Sequence, residues 1–217
     1  MELKNLQPGA FYNISVQAFN DVTQSNIAII SQYTLLNPFN PKDVLISEKR
    51  PDGIIFSWQP INDATNYKII IDKDFEFTYF MDRGQEQPRT LTTNETFYDV
   101  TDLLPDTKYK YELVAFNPST FSESFFGYEA TLLPDIETAE VIEKTYASFK
   151  AQWTNVPGAA DYLVQLRYTN GQVLFLTSLF KAEIDLRFGS LLPGVSYTLS
   201  IIGRNEITET RSKSLSV

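Results

Sequence analysis

Three stretches of the chain repeat one pattern: LQPGAFYNISVQAFN from Leu6, LLPDTKYKYELVAFN from Leu103 and LLPGVSYTLSIIGRN from Leu191. In the second, Tyr109, Tyr111, Leu113 and Ala115 share one parity while Lys110 and Glu112 share the other. That is the period of a half-buried β-strand entered from a turn. Aligned on their terminal asparagines, Asn20, Asn117 and Asn205, the copies stand 97 and 88 residues apart. A second landmark repeats with them: Trp58 and Trp153 are 95 residues apart, and nine residues after each comes a tyrosine, Tyr67 and Tyr162. Each tyrosine opens another alternating run, NYKIII and DYLVQL. A self-similarity this long is read as tandem domains, because the units of a solenoid are shorter.

Within a repeat the reading is all-β. Ala147, Phe149, Ala151 and Trp153 fall on one face with Ser148, Lys150 and Gln152 opposite, and Tyr162, Val164 and Leu166 form the next inward set. Asn170-Gly171, between YLVQLRY and VLFLTS, predicts a hairpin with a type I′ turn, which needs positive φ at both residues. No stretch holds a 3.6-residue period over eleven residues.

The 217 residues suffice for one large or two ordinary domains. With 43% hydrophobic residues a packed core is expected, and 16 Phe and 12 Tyr against two Trp make Phe and Tyr its main aromatic supply. Cys and His are both absent, which removes disulfides, thiolate nucleophiles, imidazole bases and the usual zinc ligands. The net charge of −9 argues against nucleic acid or an anionic membrane as partner. The imbalance is concentrated in residues 38–132, which carry nine bases and sixteen acids. No apolar run approaches the length of a membrane span, and the N-terminus shows no apolar signal-peptide core.

The recurring elements now form a set: a Trp in the second strand, a Tyr opening the third, and L-x-P-[GD]-x-x-Y-x-x-x-x-x-A-x-N ahead of the last. This set resembles the fibronectin type III module. The resemblance implies tandem immunoglobulin-like β-sandwiches joined end to end. Residues 38–132 and 133–217 are then complete modules, and residues 1–37 hold only the last two strands, F and G, of a module truncated at its N-terminus. It also implies a structural tyrosine corner at Tyr12, Tyr109 and Tyr197, each burying its ring and pointing its hydroxyl at upstream backbone. Trp58 and Trp153 are the expected core tryptophans. Two departures stand out: Asp106 where the other corners have Gly9 and Gly194, and Gly203 where the other strands have Ala18 and Ala115. The first is compatible with a turn.

Short connections containing Pro38, Pro41 and Pro134 predict semi-rigid joints. With strands of about nine residues at ~3.3 Å each, a module would span ~30 Å, giving a rod. The apolar set Tyr12, Ile14, Val16 and Ala18 is expected to need cover from further strands, supplied by upstream sequence or by a neighbouring chain.

Candidate sites are few. Asp72, Asp74 and Glu76 alternate on one strand, but residues two apart sit ~6.6 Å from one another, too far for one calcium ion, so a charged outer face is favoured. Phe121, Phe125 and Phe126, near Tyr128, serve either core and joint packing or a partner surface; Phe75, Phe77, Tyr79 and Met81 read as core. Asn94-Glu95-Thr96 and Asn13-Ile14-Ser15 fit the N-glycosylation triplet, Asn94 being the better placed in a turn. Asp82-Arg83-Gly84 is not the integrin-binding Arg-Gly-Asp. No nucleophile elbow, P-loop or dinucleotide fingerprint occurs. The expectation is a non-catalytic structural and adhesive spacer of a larger multidomain extracellular or cell-surface protein, with protein partners or self-assembly and no cofactor. The alternatives are an accessory module of a large secreted enzyme, such as a polysaccharide hydrolase, and a structural module of a filament or cytoskeletal assembly.

Overall fold

A computed structural model describes residues 2–74, 87–180 and 185–217. Glu76, Phe75, Phe77, Tyr79, Met81 and the Asp82-Arg83-Gly84 triplet lie outside the described residues. The N-terminal repeat contributes β1 (Phe11–Val16) and β2 (Ala28–Tyr33), paired antiparallel with Phe11 opposite Tyr33. Next come a 3-10 turn at Pro41–Asp43, capped by the Asn40 side chain, and then β3 (Val44–Arg50), β4 (Gly53–Trp58), β5 (Asn66–Lys73), β6 (Arg89–Thr93), β7 (Phe97–Val100), β8 (Lys108–Phe116) and β9 (Phe125–Ala130). The last repeat has β10 (Ala139–Lys144), β11 (Phe149–Trp153), β12 (Asp161–Tyr168), β13 (Val173–Phe180), β14 (Asp185–Phe188), β15 (Tyr197–Arg204) and β16 (Lys213–Ser216).

The second and third repeats share one topology. A three-stranded sheet, β3-β4-β7 or β10-β11-β14, accompanies a four-stranded one, β6-β5-β8-β9 or β13-β12-β15-β16. Two sheets per repeat, each apolar on one face, make a β-sandwich. The described chain divides into two compact units: 1–47 with 55–98 and 110–128, and 48–54 with 99–109 and 129–217. The division runs through the second repeat, so five of its strands have residues in both units.

Alternation decides burial throughout. In β15, Tyr197, Leu199, Ile201 and Gly203 are buried while the intervening residues are not. They meet Tyr162, Val164 and Leu166 of β12 and Phe149, Ala151 and Trp153 of β11 in one core. The rings of Trp153 and Tyr162 sit edge-on at 5.7 Å, and Trp58 and Tyr67 repeat the pair at 5.2 Å. Both tyrosine hydroxyls also accept backbone N–H groups, Tyr67 from Ile61 at 3.0 Å and Tyr162 from Val156 at 2.7 Å. The recurring Trp-x8-Tyr spacing thus builds a ring pair and pins the loop between them.

Two local readings change. The Asn170-Gly171 hairpin is not type I′, because only Gly171 of the pair has positive φ (88°). The Gly171 amide donates to Tyr168 and the Tyr168 amide to Gln172, with a register shift at Leu166/Arg167. This is a four-residue loop in which a turn is closed by a left-handed glycine and a bulge. The departure at Gly203 also has a structural cause. A Cβ there would lie 3.1 Å from Thr210 Cγ2 and 3.3 Å from the Tyr162 ring. In the other repeats the partner hydroxyl belongs to a serine: Ser25 accepts from the Ala18 amide, Ser122 from Ala115, and Thr210 from Gly203. The threonine methyl takes the place of the alanine methyl.

Candidate functional site

Each corner tyrosine reaches back to an amide five residues upstream. Tyr12 accepts from the Gln7 amide at 3.0 Å, Tyr109 from Leu104 at 2.8 Å and Tyr197 from Leu192 at 2.9 Å. Tyr109 and Tyr197 are buried and Tyr12 is half-buried. A backbone N–H at a turn needs an acceptor, and a ring anchored in the core holds one in place. The asparagines that end the pattern act as loop caps. Asn20 Oδ1 accepts from Val22 and Thr23, Asn117 from Ser119 and Thr120, and Asn205 from Ile207 and Thr208. Their sequence signal was the repeat itself.

The connections between repeats are held in the same way twice. After β2, Leu36 is buried; its amide donates to the Phe121 carbonyl at 2.9 Å, it bridges Ser122 in parallel, and the Thr120 hydroxyl donates to Thr34. All of these residues fall in the first unit. After β9, Leu133 is fully buried and its amide donates to the Glu209 carbonyl at 3.1 Å, inside the second unit. Phe121 and Glu209 occupy matching places, four residues after their capping asparagines. Asn205 Nδ2 adds a bond to Asp106 Oδ1 at 2.8 Å. Both connections are joints with their own hydrogen bonds and a buried leucine, where the sequence had offered only prolines. The periodicity that reveals strands does not reach such contacts.

The candidate partner rings separate. Phe125 is half-buried, its ring 6.3 Å from Phe39 and 6.4 Å from Tyr111. Phe121 and Phe126 are exposed, with 57% and 55% of their surface free, and the Lys110 ammonium lies 5.4 Å from the Phe126 centroid. Tyr128 is exposed too. Trp58 and Trp153 are buried, each with an indole Nε1 that has no partner among the described residues. Asn94 is exposed in the bend between β6 and β7, where the Glu95 amide donates to Thr93 Oγ1. Asn13 lies mid-strand in β1 and accepts from the Ser31 hydroxyl. Among the described residues no three acidic side chains gather as a metal site, and no helix is long and apolar enough to cross a membrane.

Electrostatics is structural here. The Arg211 guanidinium hydrogen-bonds Asp135 and holds its carboxyl below the usual range, against the opposing effect of burial. Asp99 raises Arg50 in the same manner.

The sandwich topology, the tyrosine clasps and the paired Trp and Tyr rings define a chain of all-β modules. Residues 39–127 match the family model of the fibronectin type III domain, and the following repeat has the same sheet topology. It is 25% identical over 199 residues to the mouse receptor-type tyrosine-protein phosphatase eta, covering 90% of this chain and 15% of that protein. It is 26% identical over 216 residues to chicken tenascin-R, covering 95% and 15%. With mouse tenascin the identity is 27% over 208 residues, covering 93% and 9%. The chain therefore spans less than a sixth of the length of these relatives. Among solved structures, a two-fibronectin type III segment of chicken tenascin is similar at a TM-score of 0.44 and 17% identity, covering 81% of this chain and 97% of that one.

Proposed function

We propose that this chain is a non-catalytic spacer and adhesive segment of a larger extracellular or cell-surface protein, with modules at 38–132 and 133–217 and two strands of another at 1–37. The observation that carries this reading is the repeated joint: a buried leucine whose amide binds a carbonyl of the following module's last loop, at both Leu36 and Leu133. A hydrogen-bonded joint holds consecutive modules at a set distance, which a merely flexible linker does not. The similarity to a receptor-type phosphatase, to tenascins and to collagen alpha-1(XII) chains supports the location. The exposed Phe121 and Phe126 are the protein-contact surface, since exposed aromatic rings supply most of the energy at such contacts. Asn94 is the glycan-bearing asparagine of this reading.

The native chain has no cysteine, so two introduced thiols can be labelled without background. Spin labels on Asp52→Cys and Gln172→Cys span the second joint within one compact unit. A single narrow distance distribution is expected, and a broad one removes the spacer reading. Surfaces coated with the chain should support cell attachment, and Phe121→Ser with Phe126→Ser should abolish it. No attachment to the parent chain removes the adhesive half.

A further inference from the structure

At each joint a corner residue of one module meets a loop residue of the next, and all four residues have left-handed backbone. At the first joint the corner is Gly9 (φ 69°) and the loop residue Asp63 (φ 63°); at the second the corner is Asp106 (φ 51°) and the loop residue Gly158 (φ 87°). A Cβ on Gly9 would stand 3.1 Å from Leu36 Cδ2 and 3.7 Å from Asp63 Oδ2. A Cβ on Gly158 would stand 2.8 Å from Asp106 Oδ2 and 2.9 Å from Leu133 Cδ2. Each joint therefore has space for one carboxylate, brought by the loop in the first and by the corner in the second. Asp and Gly both tolerate left-handed backbone, so either can stand on either side. Two aspartates would press like charges together over a buried leucine, and two glycines would leave Asn205 without its Asp106 oxygen.

The third corner is open. Gly194 has φ 73°, and among the described residues nothing lies within 4 Å of where its Cβ would be. Beside it Val195 is 39% exposed, whereas Ala10 and Thr107, in the matching places of the occupied corners, are half-buried.

We propose that each corner is a docking surface matched to its loop by a single carboxylate: a glycine corner seats an aspartate loop, and an aspartate corner seats a glycine loop. By this rule the corner at Gly194 fits the loop end of a further sandwich module that presents aspartate at the position of Asp63. The proposal rests on the spacer reading and adds what decides which module ends fit together.

The test is a charge exchange at the second joint in the full chain, read by amide exchange at Leu133 with Val164 and Leu199 as references in the third core. Gly158→Asp should speed exchange at Leu133 roughly tenfold, and Asp106→Gly with Gly158→Asp should bring it back to within about threefold of the parent. Both variants carry the same backbone change at 158, so their difference reports removal of the Asp106 carboxylate, its bond to Asn205 included. An unchanged Leu133 in the single variant, a double variant no better than the single, or equal acceleration at Val164 would each overturn the rule. Gly194 is tested by extending the chain after Val217 with a second copy of residues 130–217. The added leucine amide should be protected when the added loop carries Gly158→Asp and unprotected when it keeps glycine. Equal protection in both refutes the assignment for that corner. Neither failure alters the label distances or the cell attachment that test the spacer reading.

Discussion

Gly203→Ala and Thr210→Ser make a paired perturbation whose outcome follows from the third core. The added Cβ would sit 3.1 Å from Thr210 Cγ2, 3.3 Å from Tyr162 Cε1 and 3.5 Å from Ala159 Cβ. Tyr162 and Ala159 are at most 2% exposed, so neither can move into free space. Inserting one methyl into such a site costs about 1–2 kcal/mol. Thr210→Ser keeps the hydroxyl that accepts from Gly203 and donates to Arg211, but it removes a buried methyl, at about 0.5–1.5 kcal/mol. Together the two changes recreate the Ala115–Ser122 pair of the second repeat, in which the alanine amide donates to the serine hydroxyl at 3.0 Å. The double variant should therefore lie within about 0.5 kcal/mol of the parent, a favourable coupling of about 1.5–3.5 kcal/mol. A chain of several modules does not unfold in one step, so the measurement is native-state amide exchange at Val164, Leu199 and Ile201. Additive costs, within about 0.5 kcal/mol, would refute the claim that the threonine methyl and the missing alanine methyl share one space.

Three further outcomes are expected. Tyr109→Phe should destabilise the second module by about 1–3 kcal/mol, because the Leu104 amide loses its acceptor, measured by exchange at Leu113. Asp135 has a folded pKa below its unfolded value. Its pairing with Arg211 thus stabilises above the unfolded value of about 4 and fades as pH falls through the folded one. Because both side chains are more than a third exposed, the effect is about 0.5 kcal/mol; denaturation of parent and Asp135→Asn should converge at low pH and differ near pH 6. The β1–β2 hairpin, with Phe11, Val16, Ile29 and Ile30 all exposed, should exchange its amides at least tenfold faster than β8, and equal protection in a proven monomer would show that two strands suffice.

The sequence by itself determined the module type. Alternation and recurrence placed the strands, the Trp58 and Trp153 cores and the three corner tyrosines, because each is a local pattern of period two or a fixed offset within one module. A turn type was less legible: Asn170-Gly171 signals a hairpin, but register and bulge depend on how Leu166 and Arg167 pair across to β13. What only the tertiary structure decided were contacts between residues far apart in the chain. Leu36 and Leu133 looked like ordinary linker residues, yet each is buried under a loop that comes about 80 residues later. The alanine missing at Gly203 was explained by a methyl on Thr210, seven residues away across a loop. The glycine–aspartate exchange at the joints, Gly9 with Asp63 and Asp106 with Gly158, spans about 50 residues each time. Periodicity reports the environment of one strand, whereas complementarity between two surfaces is a property of neither sequence segment alone.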